Sequence, residues 1–280
     1  MIVDCHTQIL DARGGVGPAL FESTPFESSP VDRAIVLGFK SRFLATEVPN
    51  RDLADYVRRH PSKLVGFAGI DPCDPTCLEE LAAAQEELNL KGVVVSPALQ
   101  DFHPSDTRAC QVYEACAGRG MPVVFDLGHR NPAARMEFAK PVLLDQVASE
   151  FPRLRMVVTH MGYPWVHETI SLLGKHANVF ADVAGLLPKR WLTYNALASA
   201  YEYGVIDKLL FGSDFPHRSP AACIEALYSV NQMVQGTNLP VIPREQLRGI
   251  VERDALVLLG VEAARNADAR PRSSAMIDDE

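Results

Sequence analysis

The stretch Leu209-Leu210-Phe211-Gly212-Ser213-Asp214-Phe215-Pro216-His217 contains the clearest local signal in the chain. Its apolar start is typical of a buried strand, and the glycine and proline that follow mark its end. A carboxylate therefore follows a strand directly. In parallel α/β folds, the residues at the carboxyl ends of the strands carry the chemistry. Ser-Asp is also an ordinary turn or helix cap, so the interpretation depends on how other strands end.

Eight apolar runs of strand length alternate with segments of helical periodicity. Several runs are apolar throughout, as is typical of strands buried on both faces of a parallel sheet. The runs are Ile2–Cys5, Ala34–Gly38, Leu64–Ile70, Gly92–Val95, Pro122–Phe125, Arg155–Thr159, Asn178–Ala181 and Lys208–Phe211. Helices are predicted at Val48–His60, Cys77–Leu88, Ser105–Arg119, Lys140–Glu150, Trp165–His176, Pro188–Tyr203, Ala221–Val234 and Pro243–Leu259. This alternation predicts an α/β fold, a (β/α)₈ TIM barrel closed by its last helices, with a doubly wound sheet as the alternative.

The composition and charge of the chain indicate which classes of partner are not expected. The chain has 27 Lys and Arg against 35 Asp and Glu, for a net charge of -8, and no basic stripe with interleaved aromatic residues. Nucleic acids and anionic membranes are therefore not expected as partners. No signal peptide or membrane span is recognisable, and the six cysteines lack paired spacing, so we expect a cytoplasmic protein with reduced thiols.

The predicted domain organisation is one barrel over residues 1–262, followed by a polar C-terminal tail over residues 263–280. The tail is a candidate for fraying or for contact with a neighbouring subunit. The segment Gln8 to Arg33 is rich in glycine, serine and proline, and it is either an active-site flap or a plain surface connection.

Polar residues follow six of the predicted strands. They are Asp4, His6 and Gln8, then Ser96, Asp126 and His129, and finally His160, Asp182, Asp214 and His217. Because parallel strands of a barrel point their carboxyl ends the same way, these side chains are expected to converge on one face. His6 and Gln8 are two residues apart on a strand and so share a face.

Two imidazoles and a carboxylate, from His6, His160 and Asp214, would hold a divalent metal with one position open for water. Water bound there becomes hydroxide near neutral pH, and a neighbouring carboxylate can take its proton. The alternative for each histidine is a hydrogen-bonded packing residue. Asp182 either caps a helix, orients a neighbour or contacts substrate. His217 and Arg218 either lie in a solvated loop or clamp a substrate carboxylate, and His129 is a further candidate substrate contact.

Several motifs, taken in order, resemble the amidohydrolase superfamily, specifically its amidohydrolase-related branch of hydrolases, lactonases and non-oxidative decarboxylases. They are Val3-Asp4-Cys5-His6-Thr7-Gln8, Val157-Val158-Thr159-His160-Met161-Gly162, Asn178-Val179-Phe180-Ala181-Asp182-Val183-Ala184-Gly185 and the opening stretch through His217. The resemblance extends to about residue 262. It implies a TIM barrel with one divalent metal, most often zinc and sometimes manganese.

By position, the resemblance makes His6 and His160 metal ligands and Asp214 a ligand or the acid and base. The chain departs from the family pattern at Gln8, where a second histidine is usual, and at Asp126, where a histidine is common. Glutamine is a weaker zinc ligand than imidazole. Either Asp126 compensates as a ligand, or the metal is weak or absent and Asp214 works as a general base, or the barrel is a silent binding protein.

The first functional hypothesis is hydrolysis of a small, carboxylated or cyclic lactone, amide or ester, with Asp214 and His160 as the catalytic residues. The second is non-oxidative decarboxylation of an aromatic or enoic acid, which the resemblance disfavours because such enzymes often carry glutamate at the position of His6. The third is a non-catalytic binding barrel. In each case the partner is a small molecule, and the resemblance favours a homodimer.

Overall fold

The computed structural model describes residues 1–9, 29–187 and 189–263. Eight parallel strands form one sheet, in sequence order around the barrel. The strands are Val3–Gln8 (β1), Arg33–Leu37 (β2), Leu64–Gly69 (β3), Gly92–Val95 (β4), Val123–Phe125 (β5), Met156–Val158 (β6), Val179–Asp182 (β7) and Leu209–Leu210 (β8). Each of the eight predicted strands is present, so the predicted (β/α)₈ barrel is confirmed.

The barrel closes between β1 and the segment that follows β8. Cys5 N donates to Phe211 O at 2.9 Å, Asp214 N donates to His6 O at 3.0 Å and Gln8 N donates to Phe215 O at 2.8 Å. All three bonds join β1 to residues that follow β8, which is itself only two residues long. The backbone that carries Asp214 is therefore tied directly to the backbone that carries His6.

A β-bulge interrupts β1. Asp4 is aligned with Ala34 and Thr7 with Val36, so β1 has one residue more than β2 across this interval. Cys5 belongs to the apolar cluster inside the barrel, and His6 also faces inward because the extra residue changes the alternation. Bulges re-aim side chains in this way next to functional sites.

The helices occupy the outside of the barrel. They are Asn50–Arg59 (α1), Cys77–Glu86 (α2), Pro97–Gln100 (α3), Thr107–Arg119 (α4), Leu144–Glu150 (α5), Val166–Lys175 (α6), Arg190–Glu202 (α7), Pro220–Tyr228 (α8), Arg244–Glu252 (α9) and Ala255–Leu258 (α10). Their apolar faces pack on the outward side chains of the strands, which form the larger core cluster. None of the helices in the described ranges has the length and apolar character needed to cross a bilayer.

Three predicted helices are divided. The segment Lys140–Glu150 forms a 3₁₀ turn at Pro141–Leu143 and then α5. The segment Ala221–Val234 forms α8 and then a 3₁₀ turn at Val230–Val234. The segment Pro243–Leu259 divides into α9 and α10 because Arg253 adopts an extended conformation, and the Asp254 side chain accepts a hydrogen bond from Val257 N to cap the second helix.

The inner core lies at the amino-terminal end of the barrel. Its side chains come from alternate positions of the strands and from α10 and the residue after it. Ala255, Leu256 and Leu259 close this end, and none of them is more than 1% exposed. Residues 10–28, which include most of the predicted flap, and residues 264–280, which include the predicted tail, lie outside the described residues.

Candidate functional site

His6 is held at the bulge of β1 by Asp182 at the end of β7. Its Nδ1 atom lies 3.0 Å from Asp182 Oδ2, and both side chains are fully buried. A carboxylate oxygen only accepts in this pair, so the Nδ1 hydrogen of His6 points at Asp182. The Nε2 atom of His6 is therefore the one that faces the barrel mouth and that can bind a cation.

His160 follows β6 in a turn. His160 and Met161 have φ values of 53° and 49°, in the left-handed region that is unusual for such residues. The turn directs His160 N to Asp182 Oδ1 at 2.9 Å and His160 Nδ1 to the Ala184 carbonyl at 2.8 Å. A carbonyl can only accept, so Nδ1 carries the hydrogen and Nε2 is again the free nitrogen.

The two imidazole rings meet at the mouth, with their centroids 4.6 Å apart. Gly185 makes this approach possible: it has a φ of 67°, and a Cβ there would lie 2.9 Å from His160 Nδ1. The loop after β7 thus packs directly on the His160 ring. No side chain larger than glycine fits this position without moving the imidazole.

Asp182 is an orienting residue in this arrangement. Its Oδ2 accepts from His6 Nδ1, and its Oδ1 accepts from the backbone N of His160 and of Ala184. In the described chain, one ligand atom each from His6, His160 and Asp182 lie within 4.8 Å of one another. Because both Asp182 oxygens already accept hydrogen bonds on the far side of His6, the prediction that Asp182 orients a neighbour fits its contacts better than substrate binding does.

Asp214 reaches the same centre from the segment after β8. Its Oδ1 lies 3.9 Å from His6 Nε2, and its side chain keeps 21% of its surface exposed. The residue has a φ of 66°, which aspartate tolerates better than most side chains. Before it, Ser213 donates from Oγ to Asp4 Oδ2 at 2.5 Å and from its backbone N to Asp4 Oδ1 at 2.9 Å. Burial raises the pKa of Asp4 to about 6 despite these bonds.

Gln8 and Asp126 are the two remaining predicted metal ligands, and their side chains have different neighbours. The Gln8 side-chain amide lies 3.3 Å from His6 Nε2. Asp126 accepts from Ser96 Oγ at 3.2 Å and from Gly128 N at 3.0 Å. Like Asp214, it lies outside the group of His6, His160 and Asp182 ligand atoms found among the described residues. Gln8 is therefore next to the centre, whereas Asp126 is held by its neighbours.

The site has an excess of negative charge around His6. Burial opposes a charge on this imidazole, but the carboxylates of Asp182, Asp214 and Asp126 together raise the pKa of His6 to about 9. Burial likewise opposes a charge on Asp182, but the charge and hydrogen bond of His6, together with His160, lower the pKa of Asp182. Two oriented imidazoles, an adjacent carboxylate and a field that favours positive charge fit a divalent cation.

A cavity of about 260 Å³ opens beside the centre and is lined by cationic side chains. His160 and Asp214 form one wall, and Arg130, Lys189 and Arg218 lie around the rest. Burial and the nearby charges of Arg130 and Arg218 lower the pKa of Lys189. A negative charge in this cavity would relieve their mutual repulsion.

Of the other predicted substrate contacts, two line this cavity and one does not. His129 lines the cavity and packs edge-on against Trp165, with ring centroids 5.6 Å apart, and Arg218 lines it as well. Burial is the main cause that lowers the pKa of His129. His217 is exposed and is not part of the cavity lining, which matches the predicted alternative of a solvated loop residue.

A second cavity of about 370 Å³ lies on the other side of the centre, where Gln8 and Asp126 are part of its lining. Leu99 and Asn131 line both cavities. We refer to them as the cationic cavity and the apolar cavity. The two cavities thus adjoin, and each is lined by some of the predicted metal ligands: His160 and Asp214 in the cationic cavity, Gln8 and Asp126 in the apolar cavity.

The match to a protein family covers this whole barrel: a family model described as amidohydrolase matches residues 3–260. The chain belongs to this amidohydrolase family. The resemblance of the strand-end motifs is thereby confirmed. No curated protein sequence matches this family member.

Several solved structures share its fold. An uncharacterised TIM-barrel protein from Bordetella bronchiseptica is 21% identical, with a TM-score of 0.69 over 92% of this chain and 98% of the other. A probable 2-pyrone-4,6-dicarboxylic acid hydrolase from Acinetobacter baumannii is 15% identical, with a TM-score of 0.65 over 92% and 99%. A dihydroxybenzoic acid decarboxylase from Polaromonas sp. JS666, solved with bound manganese and 2-nitroresorcinol, is 13% identical, with a TM-score of 0.65 over 94% and 98%. At these identities the likeness establishes the barrel fold.

Sequence reasoning missed several residues that shape the site of this amidohydrolase family member. Ala184 binds His160 through its carbonyl, which no side-chain pattern reveals. Ser213, which the sequence indicates only as part of an ordinary turn or helix cap, links Asp4 to the Asp214 segment. The positive φ at His160 cannot be recognised from the residue type. Gly162 and Gly185 also have a positive φ, and glycines at these positions could have indicated tight turns near the site.

Proposed function

We propose that this chain is a metal-assisted hydrolase of a small substrate that carries a carboxylate. The observation that supports this most directly is the position of Asp214, which lies 3.9 Å from His6 Nε2 and also forms part of the wall of the cationic cavity. Its carboxylate is next to both the candidate metal ligands and the space for a substrate.

His6, His160 and Asp214 would hold the metal, with the Gln8 amide beside them. When bound, a divalent metal supplies Lewis acidity to a carbonyl and acidifies water. Asp214 takes the proton from the attacking water and returns it to the leaving oxygen or nitrogen. Asp182 and the Ala184 carbonyl keep the two Nε2 atoms directed at the centre through their bonds to Nδ1.

The proposed ligands include both nitrogen and oxygen atoms, and this mixture determines which metals fit the site. Two imidazole nitrogens suit zinc, whereas carboxylate and amide oxygens also suit manganese. We propose one divalent ion per chain, with zinc favoured by the imidazoles and manganese as the alternative. The replacement of a second first-strand histidine by Gln8 weakens zinc binding relative to a third imidazole.

The substrate class follows from the cationic cavity. Arg130, Lys189 and Arg218 come from loops after β5, β7 and β8, so they face the cavity from separate directions. Three cations around about 260 Å³ suit a carboxylate better than a neutral group. The reacting bond is then an ester, lactone or amide held near Asp214.

Non-oxidative decarboxylation is the second candidate because it uses the same groups. With the reacting carboxylate at the two histidines, Asp214 would donate a proton to the carbon as the carbon–carbon bond breaks and carbon dioxide leaves. The fold is shared with a manganese-containing decarboxylase, which supports keeping this reaction in the test. The histidine at position 6 favours hydrolysis.

One experiment separates the two reactions. Protein supplied with zinc or manganese is incubated with a panel of carboxylated lactones, esters, amides and hydroxybenzoic acids, in ¹⁸O-labelled water and separately in heavy water. Hydrolysis places ¹⁸O in a new carboxylate, whereas decarboxylation places deuterium on carbon and releases carbon dioxide. The Asp214→Asn variant is the control for both.

The proposal predicts ¹⁸O incorporation that depends on Asp214. Deuterium incorporation without ¹⁸O would replace hydrolysis by decarboxylation. Ligand binding without either label, across the whole panel and with either metal, would identify a non-catalytic binding barrel.

A further inference from the structure

The apolar cavity has no role in the reaction described so far. Five of its ten lining residues carry apolar side chains, and four are polar, namely Gln8, Thr46, Asp126 and Asn131. The apolar lining residues are Leu37, Phe39, Leu44, Val94 and Leu99. At about 370 Å³ it is larger than the cationic cavity and exceeds the roughly 150 Å³ of an apolar protein cavity that binds benzene.

A fixed hairpin provides the outer wall of this cavity. Residues 40–41 and 46–47 pair as two short antiparallel strands after β2. Ser41 Oγ donates to Leu99 O at 2.6 Å and accepts from Leu44 N at 2.9 Å, while Gln100 Nε2 donates to Lys40 O at 2.6 Å. The cavity therefore has a defined shape before any ligand binds.

A close approach of backbones places the hairpin over the barrel mouth. A Cβ on Gly38 would lie 2.5 Å from Gly69 N, so only glycine lets β2 leave the barrel this tightly against β3. On the far side, Arg42 N donates to Asp71 Oδ2 at 2.8 Å. The hairpin is therefore tied to the loop after β3 and to α3, which follows β4.

The polar groups in the apolar cavity already have partners. Both oxygens of Asp126 accept hydrogen bonds, from Ser96 and Gly128. The Gln8 amide lies against His6, and Thr46 Oγ1 donates to Leu44 O at 3.1 Å. Asn131 Oδ1 accepts from Ala133 N at 2.9 Å, so each polar side chain of the lining keeps at least one protein partner when an apolar group fills the cavity.

The apolar cavity adjoins the cationic cavity at Leu99 and Asn131. His160 and Asp214 line the cationic cavity, and Gln8, which lies beside His6, lines the apolar cavity. We propose that the substrate is an amphipathic carboxylic acid: its carboxylate occupies the cationic cavity, and an apolar arm of about aryl size occupies the cavity under the hairpin. This inference rests on the proposed function for the position of the reacting bond, near His6 and Asp214. The binding geometry itself can be tested without turnover.

The test measures binding of acids that cannot be hydrolysed. Isothermal titration calorimetry with the zinc-loaded protein compares propionate, 3-phenylpropionate and 5-phenylvalerate, and the carboxamides of the two aryl acids. Leu44→Ala removes part of the apolar wall, and Thr46→Trp fills the cavity. Phe43→Ala is the matched control, because Phe43 is the adjacent hairpin residue, is 44% exposed and is not part of the cavity lining.

At least one aryl acid is expected to bind more than about tenfold tighter than propionate. This gain should fall about fivefold in Leu44→Ala, disappear in Thr46→Trp and persist in Phe43→Ala. The carboxamide should bind at least about tenfold more weakly than its acid, because it lacks the charge that the cationic cavity attracts.

Two results would overturn the inference. One is an aryl gain that survives in both Leu44→Ala and Thr46→Trp, and the other is no measurable binding of either aryl acid. Failure of the proposed function has a different signature: the binding pattern would hold while no carboxylated ester, lactone or amide incorporated ¹⁸O. The two proposals therefore fail separately.

Discussion

The two ends of the barrel are built from the same strands but from opposite kinds of side chain. At the amino-terminal end, Val3 and Val65 pack against Leu256 and Leu259 in an apolar cluster without charged groups. At the carboxyl-terminal end, His6 and Asp182 are equally buried, at 0% exposure, but are charged or polar. Burial alone therefore does not distinguish the end that stabilises the barrel from the end that carries its chemistry.

The difference lies in what each buried group requires of its neighbours. An apolar side chain needs only contact, so many hydrophobic residues would serve at the amino-terminal end. A buried carboxylate needs specific donors, and Asp182 takes them from His6, His160 and Ala184. Replacements at the two ends should consequently affect different measurable quantities.

The largest expected effect is loss of activity in Asp214→Asn. Removing the proton acceptor should lower kcat/KM by about 10³-fold, or about 4 kcal/mol of transition-state stabilisation. Asparagine tolerates the same positive φ, so the backbone should keep its conformation and the free energy of unfolding of the metal-free protein should change by less than about 1 kcal/mol. Kinetics with the best substrate of the panel and urea unfolding measure the two quantities. Unchanged kcat/KM would remove Asp214 from the reaction.

The opposite result is expected for Leu256→Ala at the amino-terminal end. A cavity in the cluster around α10 should lower the free energy of unfolding by about 3 kcal/mol, while kcat/KM of the folded protein stays within about twofold. Leu258→Ala is the control, because Leu258 lies two residues away but is 36% exposed, whereas Leu256 is 0% exposed. Equal losses in the two variants in urea unfolding would contradict the assignment of this end to stability.

Asp182→Asn should weaken metal binding while leaving the proposed ligands His6, His160 and Asp214 in place. The amide no longer offers His6 a charged acceptor, so the affinity for zinc or manganese is expected to fall about 10- to 100-fold. Elemental mass spectrometry after dialysis against graded chelator concentrations measures the affinity, with about one equivalent expected in the wild type. A wild type that never retains metal would remove the ion from the mechanism.

The smallest effect concerns the rim of the carboxyl-terminal end, where Asp74 pairs with Lys40 at 3.0 Å. A hydrogen bond from Thr76 N is the largest cause that lowers the pKa of Asp74, to about 2. A carboxyl group with a lowered pKa in the folded state stabilises the protein above its unfolded pKa near 4, and this stabilisation is lost as the pH falls toward 2.

Asp74→Asn should therefore reduce the free energy of unfolding by about 1 to 2 kcal/mol at pH 6. The difference from the wild type should shrink between pH 4 and pH 2.5. Urea titrations of both proteins at these pH values provide the comparison. A difference that does not vary with pH would mean that the side chain acts through its shape and not through its charge.

The sequence predicted the barrel well because its strands are short apolar runs between polar turns. Such runs can be recognised in the sequence without any tertiary information. The convergence of His6, His160 and Asp214 also followed from the direction of parallel strands. The bulge in β1 was not predictable, because it depends on pairing with β2 and leaves no mark in the residue types.

Features that depend on contacts between residues remote in sequence were not predictable for the same reason. The division of the predicted helix Pro243–Leu259 depends on Arg253, whose Nη1 donates to Leu209 O at 2.6 Å, and that partner is remote in sequence. The apolar cavity brings together residues from the hairpin, β4 and α3, none of which has a distinctive motif. The pattern of one strand cannot show which surfaces from different loops will face each other.

The closure of the barrel between its first strand and its last also has a consequence for biosynthesis. Ser213, which binds Asp4, is 209 residues downstream, so β1 leaves the ribosome long before its partner has been translated. Until then, His6 has neither the backbone of Phe211 and Asp214 beside it nor the Asp214 carboxylate near its ring. The candidate site can assemble only in the final stage of translation or afterwards, and a nascent chain released before β8 would contain His6 and His160 without Asp214.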